Sequence, residues 1–282
     1  MASSVDRRRP LIVLLAAWAL LAVAFGVWDL PITRWAADPA CPWGAFVERW
    51  GELPGLLLVV WALLLLAAGR LTAPGGVKDG AVGGLYTLLA MMALTYGGTL
   101  VARNLGMRAD PLASRTWMVW LGSGLAALAA VTALYRAGGP ADRRLLWVAR
   151  TTFRLALWNW LLFVQPVKLL WGRVRFHDLV APDFAAFTPW YLPQGITGHT
   201  SFPSGHAAMG WMLLPLLLLV SRSSRSIRTL TWVIVLGWGI FVAAARVRYG
   251  AHFPSDVLFP TALAAVIMLS GGRRPPGPAD TG

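Results

Sequence analysis

Cysteine is almost absent from this 282-residue chain: Cys41 stands alone, which excludes an internal disulfide and any cysteine-based metal site. Acids are scarce too, 12 Asp and Glu against 25 Lys and Arg, and charged residues of both signs make up only 13% of the sequence. A soluble domain of this length needs far more charge to cover its surface, so an ordinary water-soluble fold is excluded. No repeat of the solenoid kind is visible.

What the chain has in excess is apolar surface, with 57% hydrophobic residues and a mean hydropathy of +0.61. Its 16 tryptophans suit a membrane interface, where indole rings settle. The net charge of +13 would suggest nucleic acid in a soluble protein. Here the arginines lie in short loops between apolar runs, so membrane lipids and an anionic substrate are the expected partners, and nucleic acid is not.

A membrane span needs roughly 20 apolar residues. Eight runs qualify, at about 11–28, 53–69, 81–102, 116–135, 150–168, 204–220, 229–246 and 254–271. The fold class they predict is all-α, a polytopic membrane helical bundle. Leu11 to Val27 follows Arg7, Arg8 and Arg9 but has no small-residue cleavage site after it, so it reads as an uncleaved first span. With a cytoplasmic N-terminus, 14 cations fall on the cytoplasmic side and ten opposite, five of the ten inside the candidate site. The positive-inside rule then places both termini in the cytoplasm and the site at the extracytoplasmic face. Arg103, Arg108 and Arg115 fit that count poorly. The expected organisation is N-terminal spans over 1–149, a catalytic membrane region over 150–271, and a disordered cytoplasmic tail over 272–282, which is rich in Pro and Gly.

Three segments place polar residues at the ends of apolar helices. Lys168 to Phe176 closes the fifth span, Phe202-Pro-Ser-Gly-His206 opens the sixth, and Arg246 to Asp256 links the seventh to the eighth. Helices five and seven end, and six and eight begin, on the same side, so all three segments are expected at one face. Lys168, Arg175 and Arg246 supply the charge and donors that suit a phosphate. Pro203 suits a first helical turn, which points backbone amides near Ser204, Gly205 and His206 at an anion. His252 and Asp256 are four apart, so the carboxylate can hold one imidazole nitrogen while the other attacks phosphorus. His206 can then protonate the leaving oxygen. Apart from Asp280 in the tail, Asp256 is the only acid in the last 90 residues.

The pattern Lys-x6-Arg, then Pro-Ser-Gly-His, then Arg-x5-His-x3-Asp resembles the three-part signature of the type-2 phosphatidic acid phosphatase superfamily. That superfamily includes lipid phosphatases, glucose-6-phosphatases and vanadium haloperoxidases. The resemblance implies a six-helix core; the eight runs then leave an extra pair before the first motif, expected at 81–135. It implies phosphate binding by Lys168, Arg175 and Arg246 with Ser204 and Gly205 assisting, a phosphohistidine on His252 oriented by Asp256, and His206 as general acid. It implies no metal and no cofactor, and three neighbouring cations would in any case repel a divalent ion. Two positions depart from the family pattern: Phe176 stands where proline is usual, and Ala245 where serine is usual.

The loop from Phe176 to Phe202 is long enough to shape a substrate pocket. Within it His199 is a candidate substrate contact, as is Arg173 inside the first motif. The expected activity is hydrolysis of a lipid phosphomonoester or pyrophosphate, with undecaprenyl pyrophosphate, phosphatidic acid and phosphatidylglycerol phosphate as candidates. The alternative is a lipid-phosphate carrier or flippase that binds without hydrolysis. That reading would favour charges in mid-span, whereas here they gather at helix ends.

Overall fold

In lipid, backbone polar groups must be satisfied within the chain, and a run of apolar residues achieves this as a helix. In the computed structural model, which describes residues 4–106, 116–139, 142–179 and 184–271, each of the eight expected runs is helical. The first is α1 (Ser4–Ala36). α2 (Pro42–Trp50) and α3 (Leu53–Leu71) run almost end to end through the second, followed by α4 (Gly76–Asn104) and α5 (Thr116–Arg136). The fifth run starts as α6 (Arg143–Leu155), widens to a π-helix over Ala156–Val164, and closes as α7 (Gln165–Trp171). The sixth starts as α8 (Gly205–Gly210) and tightens to a 3-10 helix over Trp211–Arg222, and α9 (Arg225–Arg248) and α10 (Pro254–Leu269) complete the chain. There is no strand among the described residues.

Five segments are long and apolar enough to cross a membrane: Arg9–Ala36, Pro42–Leu71, Gly76–Asn104, Met118–Arg136 and Arg225–Arg248. The other three runs are short or change winding. Tightening helps the sixth: at the larger rise of a 3-10 helix, the rod from Gly205 to Arg222 reaches roughly 33 Å, about the thickness of the hydrocarbon layer. The tail at 272–282, with Arg108 and Arg115, lies outside the described residues.

Local chemistry sets the helix ends. Pro42 and Pro254 occupy first turns, where a missing N–H costs nothing. The Asp142 side chain accepts from the Arg144 amide at 2.7 Å and caps α6. α7 stops at Gly172, whose φ of +64° turns the chain back into the protein; a Cβ there would lie 2.3 Å from the Gly195 carbonyl oxygen, so only glycine fits.

Lipid offers little hydrophobic drive between helices, so close packing through small residues matters more. Gly55 on α3 shows this: a Cβ would sit 2.2 Å from the Met209 carbonyl oxygen, so α3 and α8 meet nearly backbone to backbone. The core joins Leu56 and Leu63 of α3 to Leu155, Met209, Val235 and Ile267. α1 packs along α10, while α4 and α5 pack on α3 and on each other. The 81–135 pair therefore lies outside the helices that carry the motifs. Two side chains of α4 still reach inward: Tyr96 to Glu52 and Asn104 to the Arg49 carbonyl.

Candidate active site

The three motif segments converge, as the alternation of the last four helices requires. The Ser204 amide donates to the Asp256 carbonyl at 2.8 Å, the Ser201 amide to the Arg173 carbonyl at 3.0 Å, and the His177 amide to the Gly250 carbonyl at 2.9 Å. These backbone bonds tie the first motif to the loop before the second, and both to the third.

Asp256 is wholly buried and lies at the centre of that junction. It accepts from Arg173 Nη1 at 2.6 Å, from the Ser201 hydroxyl at 2.5 Å and from the Phe253 amide at 2.9 Å. Arg173 is buried as well, at 1% exposure. Its remaining donors reach the Thr188 carbonyl at 2.8 Å, the Ser255 hydroxyl at 2.8 Å and Asp29 at 2.9 Å, and its guanidinium lies 4.1 Å over the Phe253 ring. This corrects the expectation that Arg173 touches substrate. Four of its five N–H groups are spent inside the protein, so it is a fastener rather than a headgroup contact.

Two residues further on the environment reverses. Arg175 is only half-buried, and neither its side chain nor that of Lys168 makes a hydrogen bond or ion pair among the described residues. Lys168 lies in the field of Arg175, Arg246 and Glu52. A methyl group added at Gly205 would lie 3.9 Å from Lys168 Nζ and 3.8 Å from Glu52 Oε1, so it would project into the space between them without clashing. Gly205 thus leaves the space between Lys168 and Glu52 open. Ser204 is buried and caps α8, its hydroxyl oxygen accepting from the Ala207 amide at 3.3 Å.

His252 is buried at 1% exposure. Asp256 Oδ2 stands 3.4 Å from its Nδ1, and that nitrogen has no hydrogen bond among the described residues. Contacts of this kind are often long before substrate binds and tighten afterwards. Burial, with Arg246 adding to it, pushes the imidazole down to about 3, so the ring is neutral and keeps the lone pair that a nucleophile needs. His206 sits between two acceptors, Nδ1 at 3.2 Å from Glu52 Oε1 and Nε2 at 3.2 Å from the Glu48 carbonyl oxygen.

Reading the motifs missed three carboxylates. Glu48 forms an ion pair with the buried Arg246, Glu52 meets His206, and Asp29, about two turns before the end of α1, pairs with Arg173 and accepts from the Ser255 amide at 2.9 Å. All three precede residue 149, so the candidate site draws on both parts of the chain. A signal existed: Glu48 and Glu52 are the only acids between Asp38 and Asp79, and Asp29 is an acid inside an apolar helix.

His199 stays exposed on its loop, with only its backbone amide engaged, to Thr197 at 3.2 Å. Phe176 packs edge-on against Phe253, with ring centroids 6.2 Å apart. Ala245 is buried with Val47 and Val242, so the departure at this position lies in the contact between α9 and α2.

Comparison with known proteins points the same way as the motifs. Residues 147–271, which contain all three motif segments, match the family model of the PAP2 superfamily. A curated phosphatidylglycerophosphatase B from Haemophilus influenzae is 36% identical over 87 residues, covering 29% of this chain and 36% of the relative. The chain therefore spans about a third of the length of that relative. No solved structure matches.

Proposed function

We propose that this chain, with its PAP2-superfamily region, is a membrane phosphatase that hydrolyses a phosphomonoester or pyrophosphate on a lipid. The observation that carries the reading is the pairing of a sealed, neutral His252 beside Asp256 with a second histidine and uncommitted cations at the same helix ends. The phosphate would lie between Lys168, Arg175 and the first-turn amides of α8, with Arg246 exchanging Glu48 for the anion. His252 attacks phosphorus as His206 protonates the departing oxygen. His206 then takes a proton from water, which attacks the phosphohistidine and releases phosphate. The cations carry the transition-state charge, so no metal is required.

The site would face the extracytoplasmic side, with both termini in the cytoplasm, as the positive-inside count favours. Among the candidate substrates, the name of the Haemophilus influenzae relative favours phosphatidylglycerol phosphate over phosphatidic acid and undecaprenyl pyrophosphate.

The test is phosphate release from these three lipids in detergent with EDTA present. Turnover is expected in EDTA, inhibited by vanadate, and lost in His252→Ala. Activity that persists in that variant sinks the phosphohistidine mechanism. Loss of wild-type activity in EDTA sinks metal independence.

A further inference from the structure

Glu52 is an acid that neither the motifs nor the proposed mechanism employs. It is 6% exposed and sits at the entry to α3, where the helix dipole favours a negative group. Oε2 accepts from the Tyr96 hydroxyl at 2.5 Å, and Oε1 lies 3.2 Å from His206 Nδ1. The tight approach of Gly55 to Met209 fixes this register, because each lies three residues beyond its partner in the pair: Glu52 then Gly55, His206 then Met209. A shift of α3 along α8 would separate the carboxylate from the ring.

We infer that Glu52 is the positioning residue of His206, doing for the proton donor what Asp256 does for the nucleophile. This rests on the phosphatase reading above. Glu52 faces Nδ1, so the proton held there stays in place and Nε2 is the nitrogen that exchanges protons. Nε2 faces the Glu48 carbonyl at 3.2 Å, a long contact that a leaving oxygen can replace. In the first step a His252 nitrogen forms the bond to phosphorus as the bond to the leaving oxygen breaks. That bond's electron pair stays on the oxygen and the Nε2 proton moves to it, leaving His206 neutral. In the second step His206 Nε2 takes a proton from the attacking water. To donate a proton His206 must be protonated at the start, and Glu52, 3.2 Å from Nδ1, would offset that charge beside the neighbouring Lys168, Arg246 and His252. Tyr96 holds the carboxylate's other oxygen, which gives α4 a stake in the site.

A structural role and a positioning role separate by leaving group. An alkyl phosphate needs a proton on its departing oxygen, whereas p-nitrophenyl phosphate releases a stabilised phenolate that does not. kcat/KM reports only the steps up to the first phosphoryl transfer, so it isolates the proton donor from the later hydrolysis. Glu52→Gln is expected to lower kcat/KM for an alkyl phosphate about 100-fold and for p-nitrophenyl phosphate less than about 5-fold. Glu52→Asp, which keeps the charge, recovers part of the alkyl rate and keeps the same preference in weaker form. Equal losses on both substrates, or no loss, overturn the inference. If the Gln variant does not fold, the Asp variant alone decides by the same ratio. Failure of wild-type protein to release phosphate from either substrate, or survival of activity in His252→Ala, counts against the phosphatase reading itself and is seen before any Glu52 variant is made.

Discussion

Arg173 and Asp256 stand 2.6 Å apart with both side chains sealed from solvent, and Asp29 of α1 closes the pair on the other side at 2.9 Å. Through this contact the first motif, the third motif and the first helix share one buried charge system. Breaking one partner of such a system costs about 3–5 kcal/mol, because the others are left uncompensated. The contact explains why the Arg173 side chain is spent inside the protein while that of Arg175, two residues on, is left without a partner among the described residues.

Arg173→Ala should therefore fail as a protein, while Arg175→Ala should fail only as a phosphate binder. The first is expected to lose most of its monodisperse yield in detergent and to melt well below wild type. The second should melt within a few degrees of wild type but bind vanadate at least 10-fold more weakly, the scale of a lost charge-assisted hydrogen bond. Size-exclusion profiles, melting curves and vanadate inhibition read both. A stable, well-behaved Arg173→Ala would contradict the fastener role.

Gly205→Ala should leave the fold intact and damage the site. The atoms nearest the added methyl, on Glu52, Lys168 and Val164, lie at 3.8–3.9 Å, ordinary contact distances, so the protein accommodates it. With the phosphate beside Lys168, as proposed, the methyl crowds it, so vanadate should bind at least 10-fold more weakly at an unchanged melting temperature. Unaltered vanadate affinity would mean that the phosphate lies elsewhere.

Acid should destabilise the protein through His252. The folded ring titrates at about 3 and an unfolded histidine near 6.5. Between those values the unfolded chain binds a proton that the folded one does not, so stability falls as pH drops from 6.5 toward 3. Above 6.5 this group contributes no slope. The slope inside the window is about 1.4 kcal/mol per pH unit for one proton. Melting temperatures of wild type and His252→Asn, compared from pH 7.5 to 4.5, should diverge below pH 6.5, with the variant less acid-sensitive. Parallel curves would show that His252 is not held neutral by the fold.

Ala245→Ser tests the second departure from the family pattern. Ala245 faces Val47 and Val242, and a serine there can return its hydroxyl to the carbonyl one turn back along α9. The expected result is a loss of about 1 kcal/mol or less and a KM within twofold of wild type. A clear gain in phosphate affinity would show that the missing hydroxyl belongs in the cradle.

The convergence of the three motifs was legible in the sequence because strict alternation of spans forces helix ends to one side. Lys168, Arg175, His206 and His252 were legible as candidates for the site because charge at the end of an apolar helix has few structural excuses. Arg173 was misread for a physical reason: a motif arginine looks alike in sequence whether its donors are free or spent. Asp29, Glu48 and Glu52 were passed over because they lie more than 100 residues before the motifs they serve, where spacing says nothing about contact.

Hydropathy and spacing alone determined that this is a helical membrane protein and which side chains gather at one face, since both follow from apolar run lengths and from the side on which each run ends. Tertiary structure decided which acid meets which base. That choice depends on how helices slide and rotate against one another, and it is made by contacts such as Gly55 on the Met209 backbone, which set a register that no single run encodes.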